Sequence, residues 1–292
     1  MSNKGLTITV VANMTSNYGE GLGNISSVQK FYKNKEMYSM RSRESLKNAI
    51  MVQSGMYDDL SGVVDGATQK LVDEEHHAGN VRALEGGYMN TGQNRTYIRN
   101  SSFYLTDAVS CESFVNDTRF HTNLYLAQTV AKEKGINLQE KTKEAGLMPY
   151  QYEYDKGLKV YSLTIDLDKI GKDQNFDTEA SNQEKAERVN MILDGVENLA
   201  TIVKGNLDNA EPIFVVGGIS KRKTHYFENS IKVSKGKLFV TEDLLERLGT
   251  EDNFRVGFSE NGQLELDTEI EHISVIEFFK KLREEVKEYF GV

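Results

Sequence analysis

The amino-acid sequence predicts an α+β fold whose elements run β-α-β-β-α-β, with a large insertion and a C-terminal extension. Three observations predict it. Leu6, Ile8, Val10 and Ala12 alternate with Thr7, Thr9 and Val11, the period of a half-buried strand. Two stretches, opening at Ser42 and at Ser181, carry apolar residues at helical spacing behind a capping serine. Pro212-Ile-Phe-Val-Val-Gly-Gly-Ile219 is a continuous apolar run bounded by turn residues, which suits a strand buried on both faces.

The elements follow in order. After the first strand, Asn17-Tyr-Gly-Glu-Gly-Leu-Gly-Asn24 is a glycine-rich loop whose backbone can approach a ligand closely. It is not a dinucleotide fingerprint, because Asn24 stands where the third glycine is required and no helix opens directly behind it. The chain also lacks a P-loop. In the helix behind Ser42, Leu46, Ala49 and Ile50 form one apolar face and Gly55 is the expected stop. Arg41, Arg43 and Lys47 lie off that face. Cations in a first helical turn oppose the macrodipole, so an approaching anion, with a phosphate backbone as the candidate, competes with an ordinary solvated helix entry as the reason for them.

Residues 56–155 read as an insertion, rich in glycine, asparagine and charge and poor in apolar period. Within it, 96–111 is rich in β-formers and supplies a strand, with Arg95 and Arg99 adding charge at its base. Tyr161, Leu163, Ile165 and Leu167 then alternate as a strand over 158–168. Ser181 and Glu184 make a capping box, and an apolar face from Ala186 through Leu199, Ala200 and Val203 predicts a long helix ending at Gly205. A short helix is expected over 241–249. Ser274 with Glu277 caps a C-terminal helix that buries Ile276, Phe279, Leu282 and Val286. This order is that of a ferredoxin-like or RNA-recognition-motif (RRM) core, a palm built from 1–55 and 156–292 with 56–155 inserted as fingers and thumb. Such a core is a platform for single-stranded nucleic acid. The paired aromatics of the recognition motif are absent from these strands, so backbone contacts at loops and helix ends are expected rather than base stacking on the sheet.

Charge is unevenly spread. The chain of 292 residues carries 35 basic and 44 acidic side chains, a net of −9. Residues 22–48, with Lys30, Lys33, Lys35, Arg41, Arg43 and Lys47, have a local excess of +4, and residues 219–237 one of +5. An acidic body with two basic segments offers a polyanion a footprint if the fold brings the segments together. Cys111 is the sole cysteine, which excludes an intrachain disulfide and a thiolate zinc cluster. No apolar run approaches the ~20 residues needed to span a bilayer, and a cytoplasmic location is expected.

These segments resemble, in order and spacing, the repeated backbone subunit of CRISPR type I effector complexes (Cascade), in particular the DevR-type subunit of the I-B branch. The resemblance is carried by the first strand, the glycine-rich loop 17–24, Ser42-Arg-Glu-Ser-Leu-Lys47, Arg99-Asn-Ser-Ser-Phe-Tyr-Leu-Thr-Asp-Ala-Val, Phe120-His-Thr-Asn123, Leu163-Thr-Ile-Asp-Leu167 and Val216-Gly-Gly-Ile-Ser-Lys-Arg-Lys223. It implies a recognition-motif palm with inserted fingers and thumb. It also implies copies stacked head to tail along a CRISPR RNA (crRNA), other Cascade subunits as partners, and target DNA met through the guide heteroduplex. On this likeness Ser42, Arg43 and Lys47 fall at guide phosphates and Lys221, Arg222 and Lys223 form a second phosphate-binding edge; Lys30 and Arg41 join them on charge alone. One departure stands out. Where the family often carries Asp-Leu-Phe-Gly-Tyr-Met, this chain has Leu84-Glu-Gly-Gly-Tyr-Met89, so Tyr88 or Met89 is either a wedge against bases or a loop anchor.

Other sites compete with this reading. Asp73-Glu-Glu-His-His77 offers ligand types for a borderline cation but reads better as a solvated acidic loop. Asp58, Asp59 and Asp65 are the candidates if the chain is instead a type III-like backbone subunit with metal-dependent target-RNA endonuclease activity; turn carboxylates are the plainer account. His225 can donate to phosphate or close a strand end. The expectation is a non-enzymatic crRNA-binding subunit with no catalytic residue, metal or cofactor.

Overall fold

The computed structural model describes residues 4–19, 25–91 and 96–292. Most of the glycine-rich loop, and Arg95, lie outside the described residues. The fold is a mixed α+β arrangement centred on an eight-stranded antiparallel sheet. Its strands are β1 (Gly5–Thr15), β2 (Lys30–Lys33), β3 (Glu36–Arg41), β4 (Phe103–Leu105), β5 (Ala108–Ser113), β6 (Lys156–Asp166), β7 (Pro212–Ser220) and β8 (Arg255–Phe258). They lie in the order β8-β7-β1-β6-β5-β3-β2, with β4 also paired to β6 along Leu163–Ile165.

β1 occupies the middle and is buried on both faces. Its Leu6, Ile8, Val10, Ala12 and Met14 face a core closed by α1 (Arg43–Gln53), α3 (Asn182–Glu197) and α5 (Val275–Phe290). Two smaller helices are α2 (Leu124–Lys134) and α4 (Glu242–Leu248). The serine caps hold as the sequence predicts: Ser42, Ser181 and Ser274 each accept a hydrogen bond from the backbone N–H three residues on. At Gly217, in the centre of β7, φ is +143° and a Cβ would lie 2.0 Å from the Thr7 carbonyl oxygen of β1, so only glycine lets these strands approach there.

Several expectations are corrected. The long helix ends at Glu197, with Asn198 as its cap, and the apolar run beyond it belongs to a hairpin, Ala200–Val203 against Asn206–Asn209. Lys204 (φ +49°) and Gly205 (φ +77°) both take positive φ, the geometry of a two-residue hairpin turn rather than a helix stop. In α5, Ile276 is 74% exposed, and Val275, Phe278, Phe279, Leu282, Val286 and Phe290 form the buried face. The single strand expected over 96–111 is three short ones, Thr96–Arg99, β4 and β5. Helix α2, in the faintly periodic insertion, buries only Ala127 and Ala131, a face too weakly apolar to signal itself. It connects Thr118–Thr122 to Pro149–Glu153, which pair with each other and with Ile25–Ser26 as a separate three-stranded sheet. No helix among the described residues is long and apolar enough to cross a membrane.

Candidate nucleic-acid interface

The face of the large sheet opposite α1, α3 and α5 carries a polar stripe. Thr9 and Ser162 hydroxyls lie 2.7 Å apart, and Thr7 and Thr164 3.4 Å apart, across the β1–β6 pair. The segment after β7 crosses this stripe: the Tyr226 N–H donates to Thr7 Oγ1 at 3.3 Å, and His225 Nδ1 lies 2.9 Å from Thr164 Oγ1. Burial pulls the His225 pKa down, so the ring is a neutral partner of that hydroxyl at physiological pH. Its place is a strand-end anchor.

Beside this crossing lies an open groove of about 800 Å³. Phe31, Met40, Val109 and Ile231 line it together with the cations Lys33, Arg43 and Lys232 and the carboxylates Asp107 and Glu228. The fold therefore brings the two basic segments to one groove. Arg43 is well exposed, paired at the surface with Glu44 at 3.0 Å. Lys221 is 72% exposed, with Glu251 3.6 Å away, and Arg222 is exposed, its guanidinium 5.5 Å from the Tyr226 ring.

The remaining sequence-predicted cations are tied into the fold. Arg41 is buried at the end of β1, its Nε donating to the Thr15 carbonyl at 3.1 Å and its Nη2 to the Thr15 and Thr201 hydroxyls. Lys47 Nζ donates to the Gly86 carbonyl at 2.9 Å and to Ser101 Oγ at 2.8 Å, above the Phe103 ring. Burial, reinforced by Lys70 and Arg99, lowers its pKa to about 8. Lys30 is ion-paired with Glu153 at 2.5 Å. Lys223 bridges Asp166 at 2.6 Å and Asp168 at 2.9 Å; burial works against its charge, but the two carboxylates prevail and raise its pKa. At the start of α1 the chain supplies its own anion, since Asp107 Oδ1 accepts from the Arg43 N–H at 2.8 Å, and the Ser42 N–H donates to Asn17 Oδ1 at 2.8 Å. The free backbone N–H groups of that turn are thus satisfied from within the chain.

In the insertion, Tyr88 is an anchor, not a wedge: it is buried and its hydroxyl donates to the Asp173 carboxylate at 2.9 Å. Met89, next along the hairpin Tyr88–Thr91/Thr96–Arg99, is 62% exposed. Beneath that hairpin, the departure from the family pattern has a structural reason. Leu84 and Glu85 are fully buried, and Glu85 pairs with Arg188 at 2.8 Å and with Arg99 at 2.9 Å. Of the loop carboxylates, Asp59 accepts from the N–H groups of Arg82 and Ala83, capping a short helical turn. Asp65 sits at the turn of the hairpin Gly62–Asp65/Ala67–Lys70. Asp73 accepts from the N–H groups of Glu75 and His76 and from the His76 ring. No group of three or more histidine, cysteine or carboxylate side chains among the described residues is arranged to hold a metal ion.

Sequence reasoning counted Lys33 and Lys232 as charge but did not single them out, because their position in a common groove depends on pairings between distant segments. It also missed the aromatic face of the small sheet, although Tyr150, Tyr152 and Tyr154 recur at the two-residue period of a strand.

No curated protein matches the chain. Among solved structures it is similar to a chain of a "CRISPR RNA-guided surveillance complex, pre-nicking", with a TM-score of 0.60 and 12% identity over 97% of this chain and 100% of that one. A chain of a second CRISPR RNA-guided surveillance complex gives a TM-score of 0.55 and 14% identity, covering 96% and 99% of the two chains. Both likenesses are of fold. The family model described as "CRISPR-associated negative auto-regulator DevR/Csa2" matches residues 6–238, most of the large sheet and the whole insertion. The protein belongs to the CRISPR-associated DevR/Csa2 family.

Proposed function

We propose that this chain is a non-enzymatic, crRNA-binding backbone subunit of a cytoplasmic CRISPR type I effector (Cascade) complex. Copies polymerise head to tail along the guide, an open heterologous array, and present its bases for pairing with target DNA. In this reading β1, α1, β4, β6, α3 and β7 are the RRM-like palm, with β7-β1-β6-β4 as its sheet, and residues 56–155 are the fingers and thumb. The observation that carries the proposal is the groove of about 800 Å³ in which Lys33 and Arg43 from one basic segment meet Lys232 from the other. Its openness and its excess of cations, Lys33, Arg43 and Lys232 against Asp107 and Glu228, suit a phosphate backbone, which is read by charge and geometry rather than by sequence. Family membership and the full-length fold likeness to chains of RNA-guided complexes support it.

The deciding experiment purifies the protein with its native complex and determines the length and sequence of any nucleic acid extracted. A discrete RNA with a constant repeat-derived end and variable spacer sequence is expected. An intact complex without RNA would overturn the proposal.

A further inference from the structure

We propose that the small three-stranded sheet is a second nucleic-acid site, a platform on which bases of a single strand stack. Residues two apart on a strand share a face, so Arg119 and His121 of Thr118–Thr122 lie on the same side as their partners Tyr152 and Tyr150 of Pro149–Glu153. The rings are nearly parallel. His121 lies 5.4 Å from Tyr150 at 17° between planes and 4.9 Å from Tyr152 at 10°. Tyr150 is 44% exposed, so the stack is open to solvent.

Cations and further rings extend the surface in both directions. The Arg119 guanidinium sits 3.6 Å from the centre of the Tyr154 ring. On the other side Tyr18 meets Tyr152 edge-on at 6.1 Å, and Lys204, from the turn of the hairpin Ala200–Val203/Asn206–Asn209, places its Nζ 4.7 Å from the Tyr18 ring and 3.1 Å from Ser26 Oγ. Four separate segments thus contribute to one aromatic and cationic face. Nearby carboxylates are engaged elsewhere: Glu153 holds Lys30 and the Val28 N–H, and Asp155 holds Ser16, Ser39 and Lys159. Flat rings interleaved with Arg and Lys match the π-faces and phosphates of an unpaired strand, and stacking of this kind is tolerant of sequence.

This site uses none of the side chains on which the guide proposal depends, so either can fail alone. The test titrates the full chain with oligo(U) and with oligo(dT), each carrying one 2-aminopurine whose fluorescence is quenched on stacking. Wild-type protein should quench the probe, and Tyr150→Leu or Tyr152→Leu should weaken binding roughly 5- to 150-fold with little change in salt dependence. Tyr150→Phe, which keeps the ring, should bind as wild type. The Lys33→Ala, Arg43→Ala, Lys232→Ala triple variant should keep the quench. Tighter binding of oligo(U) would assign the strand as RNA, and tighter binding of oligo(dT) would assign it as DNA. Absence of quench in the wild type, folded Tyr→Leu variants that bind normally, or a Tyr150→Phe variant as weak as Tyr150→Leu would each overturn the proposal.

Discussion

Lys47 directs its ammonium into the protein, and its ionisation follows from that placement. With a pKa lowered from 10.5 to about 8, the folded state releases this proton before the unfolded chain does. Between those values the unfolded state binds more protons, so stability should rise with pH from about 8 to about 10.5. Urea unfolding across that range should show the increment, and Lys47→Met should lack it; identical profiles would show that the amine is solvated. Glu85 poses the opposite case, a buried carboxylate neutralising Arg188 and Arg99. Glu85→Gln leaves Arg99 without its carboxylate and Arg188 with Glu184 alone, and should cost about 3–5 kcal/mol in urea unfolding. A loss below about 1 kcal/mol would show that the pairing contributes little. Neither role was legible in the sequence. The identity of a charged residue sets its charge, whereas its burial depends on partners such as Gly86, Ser101 and Arg188, placed only when residues distant in the chain pack together.

Helices α1 and α3 touch closely because Gly195 leaves room. A Cβ there would lie 2.7 Å from the Ile50 carbonyl oxygen. Gly195→Ala gains about 1 kcal/mol of helix propensity, yet it should destabilise the protein by about 1–3 kcal/mol because the helices must move apart. Calorimetry decides the sign, and a raised melting temperature would refute the close packing. Elements were legible where local chemistry dominates. The serine caps and the alternation of β1 and β6 depend on neighbouring residues and read correctly. The end of α3 did not, because Leu199, Ala200 and Val203 continue its apolar period while Lys204 and Gly205 turn the backbone into a hairpin. The same limit applies to α5, where Val275 and Ile276 are equivalent in hydrophobicity and only tertiary packing selects Val275 for burial.

Across the whole molecule, a net charge of −9 conceals a groove in which three cations outnumber two carboxylates. Binding to a single-stranded RNA should therefore weaken steeply with salt. Replacing Lys33, Arg43 and Lys232 together by alanine should lower the slope of log K against log [salt] by roughly 2, at about 0.7 per phosphate contact. An unchanged slope in that variant would place the phosphates elsewhere. β1, β6, β7 and the capped helices α1, α3 and α5 were readable from the chain, because their caps and apolar periods are local signals. Which charges remain at the surface was not, because Lys30, Arg41 and Lys223 are matched by Glu153, Thr15 and Asp166 from remote segments. The central position of β1 also sets a timetable for folding. Its residues 5–15 bond to 156–166 on one side and to 212–220 on the other, so during synthesis β1 waits roughly 10–40 s for its later neighbour at ordinary elongation rates. Such contact order makes for slow folding. A nascent chain released before residue 212 would carry a strand with an unsatisfied edge, a substrate for chaperones rather than a partly folded sheet.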